Sequence, residues 1–267
     1  MGGFLHILLL SFSILGVLVF GFLKMIVLFI IFTLIIATVT LIERKVLALV
    51  QRRVGPNYIG YRGRLQFLAD ALKLLFKHIT VISRTNRVLF LAIPALILII
   101  SYLFWANIVW MPNLSICEIE YNILFLCIIS TGFSYLLVLV GYTSNNKYAI
   151  MSSSRVVIIG VNLEILLTFL VLGITILAES FSFDIISTWQ FGWRFNFMCF
   201  LPILPLVIIT FFLETSRIPF DLTEAESELI AGYTTEYGGF YFALFYLGEY
   251  FHLFTFSAMY AVCFFGY

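Results

Sequence analysis

Residues 4–42 read FLHILLLSFSILGVLVFGFLKMIVLFIIFTLIIATVTLI, an apolar run interrupted only by His6, Lys24 and a few hydroxyl side chains. As one α-helix the run would be about 58 Å long, nearly twice the roughly 30 Å hydrocarbon core of a bilayer. It fits one long tilted helix that starts in the membrane interface. It also fits a hairpin that turns near residues 21–24. Both alternatives put Lys24 near the same water boundary, so that lysine does not decide between them.

The rest of the chain is similarly apolar. Of its 267 residues, 63% are hydrophobic and 11% are charged, whereas a soluble domain carries about 25% charged residues. Five further segments have the length and character of membrane spans, at about 88–111, 123–142, 156–178, 197–213 and 239–265. The sequence therefore predicts one all-α membrane domain, residues 1–267, with about six transmembrane helices.

Basic residues predict the orientation of these spans. Ten of the 15 Lys and Arg residues lie between Arg44 and Arg87, and three more lie in or beside the third and fifth connectors. The second and fourth connectors contain only Arg194. Because short loops rich in Lys and Arg stay on the cytoplasmic side, we expect the odd-numbered connectors to face the cytoplasm, or the matrix in a mitochondrion. A net charge of +1 gives no reason to expect nucleic acid as a partner.

The first connector, residues 43–87, contains a second helix signal. Leu65, Leu68, Leu72, Leu75 and Ile79 recur at helical spacing, with Asp70, Lys73 and Lys77 on another face. This pattern predicts an amphipathic helix that lies against the membrane or a partner subunit. The preceding residues 52–64, RRVGPNYIGYRGR, are rich in glycine and arginine and should turn sharply.

The fifth connector, residues 214–238, gathers six of the 14 carboxylates. Pro219 fits the first turn of a helix, with Ser216 as a candidate N-cap. An acidic first turn that complements the helix dipole explains one or two of these acids. We expect Arg44 and Arg53, which flank the first turn of the basic connector, to pair with the others. The six acids are Glu214, Asp221, Glu224, Glu226, Glu228 and Glu236.

Two more carboxylates, Glu164 and Glu249, lie inside predicted spans. A charge at the bilayer centre costs roughly 2.5–3.5 kcal/mol on insertion scales, so each should face a polar cavity or a neighbour. A neutral, hydrogen-bonded structural role is the alternative. Crowded carboxylates about 5 Å apart repel one another by roughly 3 kcal/mol at an effective dielectric near 20, so some should be protonated. Together with the acidic connector, these residues predict a proton relay.

Three stretches resemble one family. They are ERKVLALVQRRVGPNYIGYRGRLQFLADALKLLFKH, SNNKYAIMSSSRVVIIGVNLEI and ETSRIPFDLTEAESELIAGYTTEYGGFYFALFYLGEY, in that order from Glu43 to Tyr250. They are similar to signatures of the membrane subunit numbered one in mitochondria of proton-pumping NADH:ubiquinone oxidoreductase, respiratory complex I. The resemblance implies a subunit of an NADH:ubiquinone reductase and H⁺ translocase, without a complete active site in this chain. It also implies a multi-pass protein of the mitochondrial inner membrane, with both charged connectors on the matrix side.

The resemblance implies a role for each matched residue. Residues that match the family's quinone chamber are Arg44, Arg53, Glu214, Arg217, Asp221, Glu224, Glu226 and Glu228. Residues that match its proton path are Glu164, Glu214, Glu236 and Glu249, and structural or interface positions are Glu43, Asp70, Lys73 and Arg155. Ubiquinone would be the substrate, and FMN and iron–sulfur clusters would lie in partner subunits. The four cysteines show no metal-ligand spacing, so we expect no metal here.

The chain also departs from the family pattern. Val54 stands where the family's loop often has a lysine, and Lys77-His78 replaces a lysine–acid pair. The family has eight spans, and this sequence stops after its sixth. A second polypeptide that supplies the last two is one expectation, and a fragment or truncated product is the alternative. Other partners would be the iron–sulfur subunits at the quinone site, neighbouring membrane subunits and lipid.

Other functions also fit the sequence. The homologous subunit of a membrane-bound hydrogenase would share the acids but need no long quinone tunnel. A proton-coupled transporter would explain acids inside spans, although the sequence shows no internal repeat of the kind many transporters have. A purely structural anchor would leave Glu164 and Glu249 unexplained.

Overall fold

The protein is an assembly of α-helices, seen here in a computed structural model. The model describes residues 2–78, 85–108, 120–190, 196–217, 219–221 and 231–266, and no strand occurs among them. The helices are α1 (Gly2–Val50), α2 (Gln66–Phe76), α3 (Arg87–Asn107), α4 (Asn122–Ser144), α5 (Lys147–Ala178), α6 (Phe183–Trp189), α7 (Asn196–Cys199), α8 (Leu204–Glu214) and α9 (Phe240–Phe265). This architecture confirms the predicted all-α polytopic membrane fold.

The long apolar run at the start of the chain is a single helix. α1 is continuous over 49 residues, so the hairpin alternative is wrong. The helix also runs past Ile42, where the apolar stretch ends, to Val50. Glu, Arg, Lys, Leu and Ala are all good helix formers, so the charges at residues 43–45 end the apolar segment without ending the helix. As a result, Glu43 and Arg44 lie on a rigid helix.

Membrane-spanning character is clear in most of the long helices. Among the described residues, four helices are long and apolar enough to cross a bilayer: Gly21–Val50, Arg87–Trp105, Asn122–Ser144 and Lys147–Ala178. α9 has 26 residues, which suffices for a span of about 30 Å, but it is more polar, with four tyrosines, Glu249 and His252. α5 starts nine residues before the predicted Val156, because the side chain of Asn146 accepts a hydrogen bond from the Tyr148 backbone N–H and caps it.

The fifth predicted span, residues 197–213, is divided. Its described part consists of α7, a 3₁₀ turn at Leu201–Ile203 and the 11-residue α8. Pro202 and Pro205 lie in the first turns of the 3₁₀ helix and of α8. Proline lacks a backbone N–H and clashes with the preceding turn, so each proline starts a new helical piece. The prediction of one unbroken helix here is wrong, and α8 carries Glu214 at its last residue.

Close helix pairs hold the body of the molecule together. Buried side chains of α3, α4, α5 and α9 form its main hydrophobic core. Two glycines permit close approach: a Cβ on Gly141 of α4 would lie 2.3 Å from Ser153 Cβ of α5, and one on Gly248 of α9 would lie 2.8 Å from Ile97 Cγ2 of α3. α1 joins the edge of this body, where the Tyr102 hydroxyl donates a hydrogen bond to the Met25 carbonyl.

The first connector folds as its sequence predicts. Arg52, Gly60, Arg62 and Gly63 all have φ values between 55° and 73°, so residues 52–64 turn sharply. The amphipathic helix follows as α2, and its leucines are about half exposed: Leu68 48%, Leu72 51% and Leu75 55%. The predicted helix is therefore confirmed, and its contact with membrane or partner stays a prediction.

The close approach of α4 and α5 provides a test of the fold. We expect Gly141→Ala to destabilise the protein by about 1–3 kcal/mol, the usual cost of overpacking, because the new methyl group would also lie 2.7 Å from the rigid Ala149 carbonyl oxygen. The measurement is the thermal stability of the membrane assembly that contains the chain. Gly132→Ala on the same helix is the control, since its Cβ would meet only Ile100 Cδ1 at 3.9 Å. Equal stability of the two variants would contradict the packing.

Candidate functional site

A cavity of about 800 Å³ opens between α1, α4, α5, α8 and α9. Its volume lies within the roughly 300–1,000 Å³ typical of small-molecule sites. Most of its wall is apolar, with Val39 from α1, Leu137 from α4 and Leu163 from α5. Among the described residues, six charged side chains line it: Glu43, Arg44, Glu214, Arg217, Asp221 and Glu249. Such a cavity suits a ligand with a long apolar part and a polar head.

One face of α9 supplies the polar wall. Tyr246, Glu249, Tyr250 and His252 all line the cavity. Residues three or four positions apart share a helix face, which is why these side chains point the same way. The adjoining face of α9 packs on α3 through Gly248. Tight packing beside the polar residues thus holds them in place.

The mouth of the cavity contains a linked set of polar groups. The Tyr250 hydroxyl donates a hydrogen bond of 2.5 Å to Glu43 Oε2 and accepts one from the Tyr246 hydroxyl at 3.1 Å. Arg217 Nη1 lies 3.9 Å from Glu43 Oε2, and its guanidinium carbon lies 4.7 Å from the centre of the Tyr250 ring. Burial is the largest influence on the Arg217 pKa and lowers it, but Tyr250, Glu43 and Tyr246 together raise that pKa above its usual value. Arg217 is therefore a permanent cation at this site.

This set corrects the predicted pairing of the two connectors. We expected Arg44 of the first connector to pair with acids of the fifth, but Arg44 Nη1 lies 2.5 Å from Asp70 Oδ2 of α2. The described link between the connectors has the opposite polarity, because the acid Glu43 comes from the first and the base Arg217 from the fifth. Lys45 donates a hydrogen bond to the Arg62 carbonyl oxygen at 2.7 Å. Arg44 and Lys45 thus fix the first connector against the end of α1.

Two further acids are held by neutral donors. The Tyr233 hydroxyl donates a hydrogen bond of 2.5 Å to Glu249 Oε1. Asn146 Nδ2 donates one of 2.6 Å to Glu236 Oε1. Tyr233 lies in the 3₁₀ turn Gly232–Thr234 just before α9. These bonds tie the end of the fifth connector to α9 and to the start of α5.

The innermost acid of the cavity is Glu214. Its side chain is 6% exposed, and its Oε1 lies 3.9 Å from Nε2 of His252, whose side chain is 5% exposed. Glu164 of α5 acts electrostatically on Glu214 and makes a side-chain hydrogen bond with Ser134. Carboxyl groups from α5 and α8 are therefore coupled electrostatically.

The remaining predicted site residues lie away from the cavity or outside the described residues. Arg53 and Lys73 are exposed on the first connector, and Arg155 is half-buried on α5. Glu224, Glu226 and Glu228 lie outside the described residues, as does most of the helix predicted to start near Pro219. The described residues contain no group of three or more His, Cys, Asp or Glu side chains that could hold a metal ion.

Comparison with known proteins places the chain in a family. A family model described as NADH dehydrogenase matches residues 23–267. The chain belongs to this family. It is 52% identical over 241 residues to NADH-ubiquinone oxidoreductase chain 1 of Paramecium tetraurelia, in an alignment that covers 90% of this chain and 92% of the relative.

More distant members of the NADH dehydrogenase family agree. NADH-ubiquinone oxidoreductase chain 1 of Yarrowia lipolytica is 39% identical over 84% of this chain and 65% of its own length. A bacterial relative, from the NADH-quinone oxidoreductase of Rhodospirillum centenum, is 38% identical over 84% of this chain and 66% of its own length. The resemblance to the first membrane subunit of respiratory complex I is therefore confirmed. The homologues are membrane subunits of an NADH–quinone oxidoreductase.

Sequence reasoning missed several polar residues that this family member places on the cavity wall, among them four with polar ring side chains. These four are Tyr233, Tyr246, Tyr250 and His252. A signal for the last three was available. Tyr246 and His252 each lie three positions from Glu249 and so share its helix face, and Tyr250 follows Glu249 directly and borders that face. Tyr233 carried no such signal, since its place depends on the turn that brings it back to α9.

The hydroxyl of Tyr250 gives a test of the polar set at the cavity mouth. We expect Tyr250→Phe to lower the free energy of unfolding by about 1–2 kcal/mol, because the variant loses the hydrogen bond to Glu43. The loss should be near the low end for a hydrogen bond to a charged group, since Glu43 is 39% exposed and partly hydrated. The measurement is thermal denaturation of the assembled complex. Tyr241→Phe on the same helix is the matched control and should change the stability by less than about 0.5 kcal/mol. Equal losses in both variants would contradict the assigned bond.

Proposed function

We propose that this chain is the core membrane subunit of a proton-pumping NADH:ubiquinone oxidoreductase that admits the quinone and begins the proton path. The observation that carries the proposal is the cavity of about 800 Å³ with apolar walls, charged groups at its mouth and the buried Glu214 carboxyl group at its inner end. Membership of the NADH dehydrogenase family supports it. The chain itself would carry no redox centre.

The cavity wall supports a quinone as the ligand. The isoprenoid tail is apolar and suits the aliphatic wall, while the head group carries two carbonyl oxygens that accept hydrogen bonds. Arg217 lines the cavity and carries guanidinium N–H donors of that kind. Tyr246 and Tyr250 also line it, but their hydroxyls already donate to Tyr250 and Glu43. Arg44 and Asp221 also line it. Arg53, Glu224, Glu226 and Glu228 would complete the chamber as the resemblance implies.

The acids support a proton path that is coupled to quinone reduction. Reduction of a quinone to a quinol adds two electrons and two protons, so negative charge develops at the head group before protons arrive. Negative charge near carboxyl groups favours their protonated forms. Glu249, Glu214 and Glu164 would then receive and pass on protons towards the membrane interior, with Glu236 at the start of the path. Glu43, Asp70, Lys73 and Arg155 would hold the connectors and the interface.

Partners and location follow from the same proposal. NADH oxidation needs FMN and electron transfer needs iron–sulfur clusters, which partner subunits of complex I would carry. The half-exposed leucines of α2 would contact such a partner or lipid. The membrane would be the mitochondrial inner membrane, with the two charged connectors on the matrix side. A second chain that adds two further helices stays a prediction.

Filling the cavity tests the quinone site directly. We expect Val39→Trp, on the cavity face of α1, to raise the KM for a long-tailed ubiquinone by roughly tenfold, the effect of about 1.4 kcal/mol. NADH oxidation with ferricyanide should stay normal, because that acceptor does not need the cavity. Leu34→Trp is the control on the same helix, since Leu34 is 51% exposed and lies outside the cavity wall. An unchanged KM in an assembled Val39→Trp complex would refute the tunnel.

Neutralising single acids tests the proton path. We expect Glu214→Gln and Glu228→Gln each to lower NADH:ubiquinone turnover by about tenfold or more, with assembly largely intact. This effect is smaller than the loss of roughly 10²–10⁴ that follows removal of a direct acid–base catalyst. The reason is that glutamine keeps the shape and hydrogen bonding of the side chain but cannot carry the proton. Glu120→Gln is the control, because Glu120 is exposed before α4 and away from the cavity. Normal turnover in both test variants would exclude the coupling role.

A further inference from the structure

His252 lies at the inner end of the cavity and has no part in the function proposed above. It lines the cavity one helical turn beyond Glu249 on α9. The residue is 4% exposed and faces Glu214 at the end of α8. A buried titratable group that faces one carboxyl group of the proposed proton path, and lies one helical turn from another, needs a physical account.

Three aromatic rings fix the imidazole. Phe133 of α4 stacks on it with ring centres 4.2 Å apart and an interplanar angle of 12°. Phe104 of α3 and Phe256 of α9 contact it at 5.4 Å and 4.6 Å between ring centres. The negative faces of aromatic rings attract cations, and the stacked Phe133 ring presents its face to the imidazole. The orientation of the imidazole is therefore set by packing.

The nitrogen that faces Glu214 is unsatisfied. Within the described part of the chain, Nε2 of His252 is buried without a hydrogen-bond partner. Buried polar atoms in native proteins are nearly always paired. The distance of 3.9 Å to Glu214 Oε1 is about 1 Å too long for a hydrogen bond. The geometry thus places a carboxyl oxygen beside a buried ring nitrogen that lacks a hydrogen-bond partner.

We propose that His252 exchanges a proton with Glu214, an inference that rests on the proposed function and adds a residue to it. In this step the O–H bond of the Glu214 carboxyl group breaks and an N–H bond forms at Nε2 of His252. A neutral pair becomes a carboxylate–imidazolium pair, and no other bond changes. The net charge of the pair stays the same. Glu214 can therefore release its proton without leaving an isolated charge in a buried site, which would be costly.

The surrounding titratable groups explain why a histidine serves here. Glu164 acts electrostatically on Glu214, and Glu214 acts on Cys127 of α4 and Tyr260 of α9. Glu249 lies one turn before His252 on α9. All of these groups become negative when they ionise. His252 is the member of this set that becomes positive when it takes a proton. Its positive charge therefore compensates the negative charge of the Glu214 carboxylate, whereas ionisation of the other groups would add negative charge.

The test compares two substitutions in the assembled complex. We expect His252→Gln and His252→Phe both to lower NADH:ubiquinone turnover by about tenfold or more, because neither side chain carries a proton. Glutamine can still hydrogen-bond to Glu214, so a merely structural role would be restored in His252→Gln and not in His252→Phe. Normal turnover in His252→Gln would overturn the proposal. His78→Gln is the matched control, since His78 is exposed after α2.

A spectroscopic readout makes the test independent of the rate. Infrared difference spectra on quinone reduction should show a histidine band that shifts with ¹⁵N-labelled histidine in the unsubstituted complex and disappears in His252→Gln. A spectrum without any isotope-sensitive histidine band would overturn the proposal even if neither variant assembles.

Glu214→Gln, measured in parallel, separates the two proposals. Normal turnover in both Glu214→Gln and Glu228→Gln would remove the proposed coupling role and this step together. Slow turnover in Glu214→Gln with normal turnover in His252→Gln would remove the histidine step alone.

Discussion

A carboxylate within an apolar body must have a polar partner, and the described structure is arranged around that requirement. An unpartnered charge in the membrane costs roughly 2.5–3.5 kcal/mol, a large part of the marginal stability of a protein. α9 meets much of this need, because it contributes the donor Tyr250 and the imidazole of His252 and carries Glu249 itself. The acid–partner pairs are Glu43 with Tyr250 and Arg217, Glu249 with Tyr233, and Glu236 with Asn146, while Glu214 faces His252 at 3.9 Å.

The position of α9 depends in turn on how closely it approaches α3. Gly248 leaves no side chain between the two helices, and Ile97 fills the space. Functional groups on rigid, well-packed helices are held more accurately than groups on loops. The polar face of α9 borders this contact, because Gly248 and His252 lie four residues apart on the helix. The same short segment therefore determines both the helix packing and the geometry of the candidate site.

The sequence predicted elements well where the signal was local. Apolar length and helical spacing located α2, α3, α4 and α9 to within a few residues, because both depend on neighbours along the chain. The break at α8 was predictable from Pro202 and Pro205, whose effect is also local. The pairing of Arg44 was not predictable. Whether it meets Asp70 or the fifth connector depends on the direction in which α1 emerges and on the turns at residues 52–64, which are tertiary features.

The reversed polarity of the connector pair links the mouth of the cavity to its inner end. Arg217, which faces Glu43 and Tyr250, follows Glu214 by three residues. Ser216 between them has φ of 47°, a left-handed conformation that is strained for a residue with a side chain. Such a turn persists only when contacts on both sides hold it. In the proposed function, a ligand that draws Arg217 away from Glu43 therefore acts directly on the end of α8, where Glu214 faces His252.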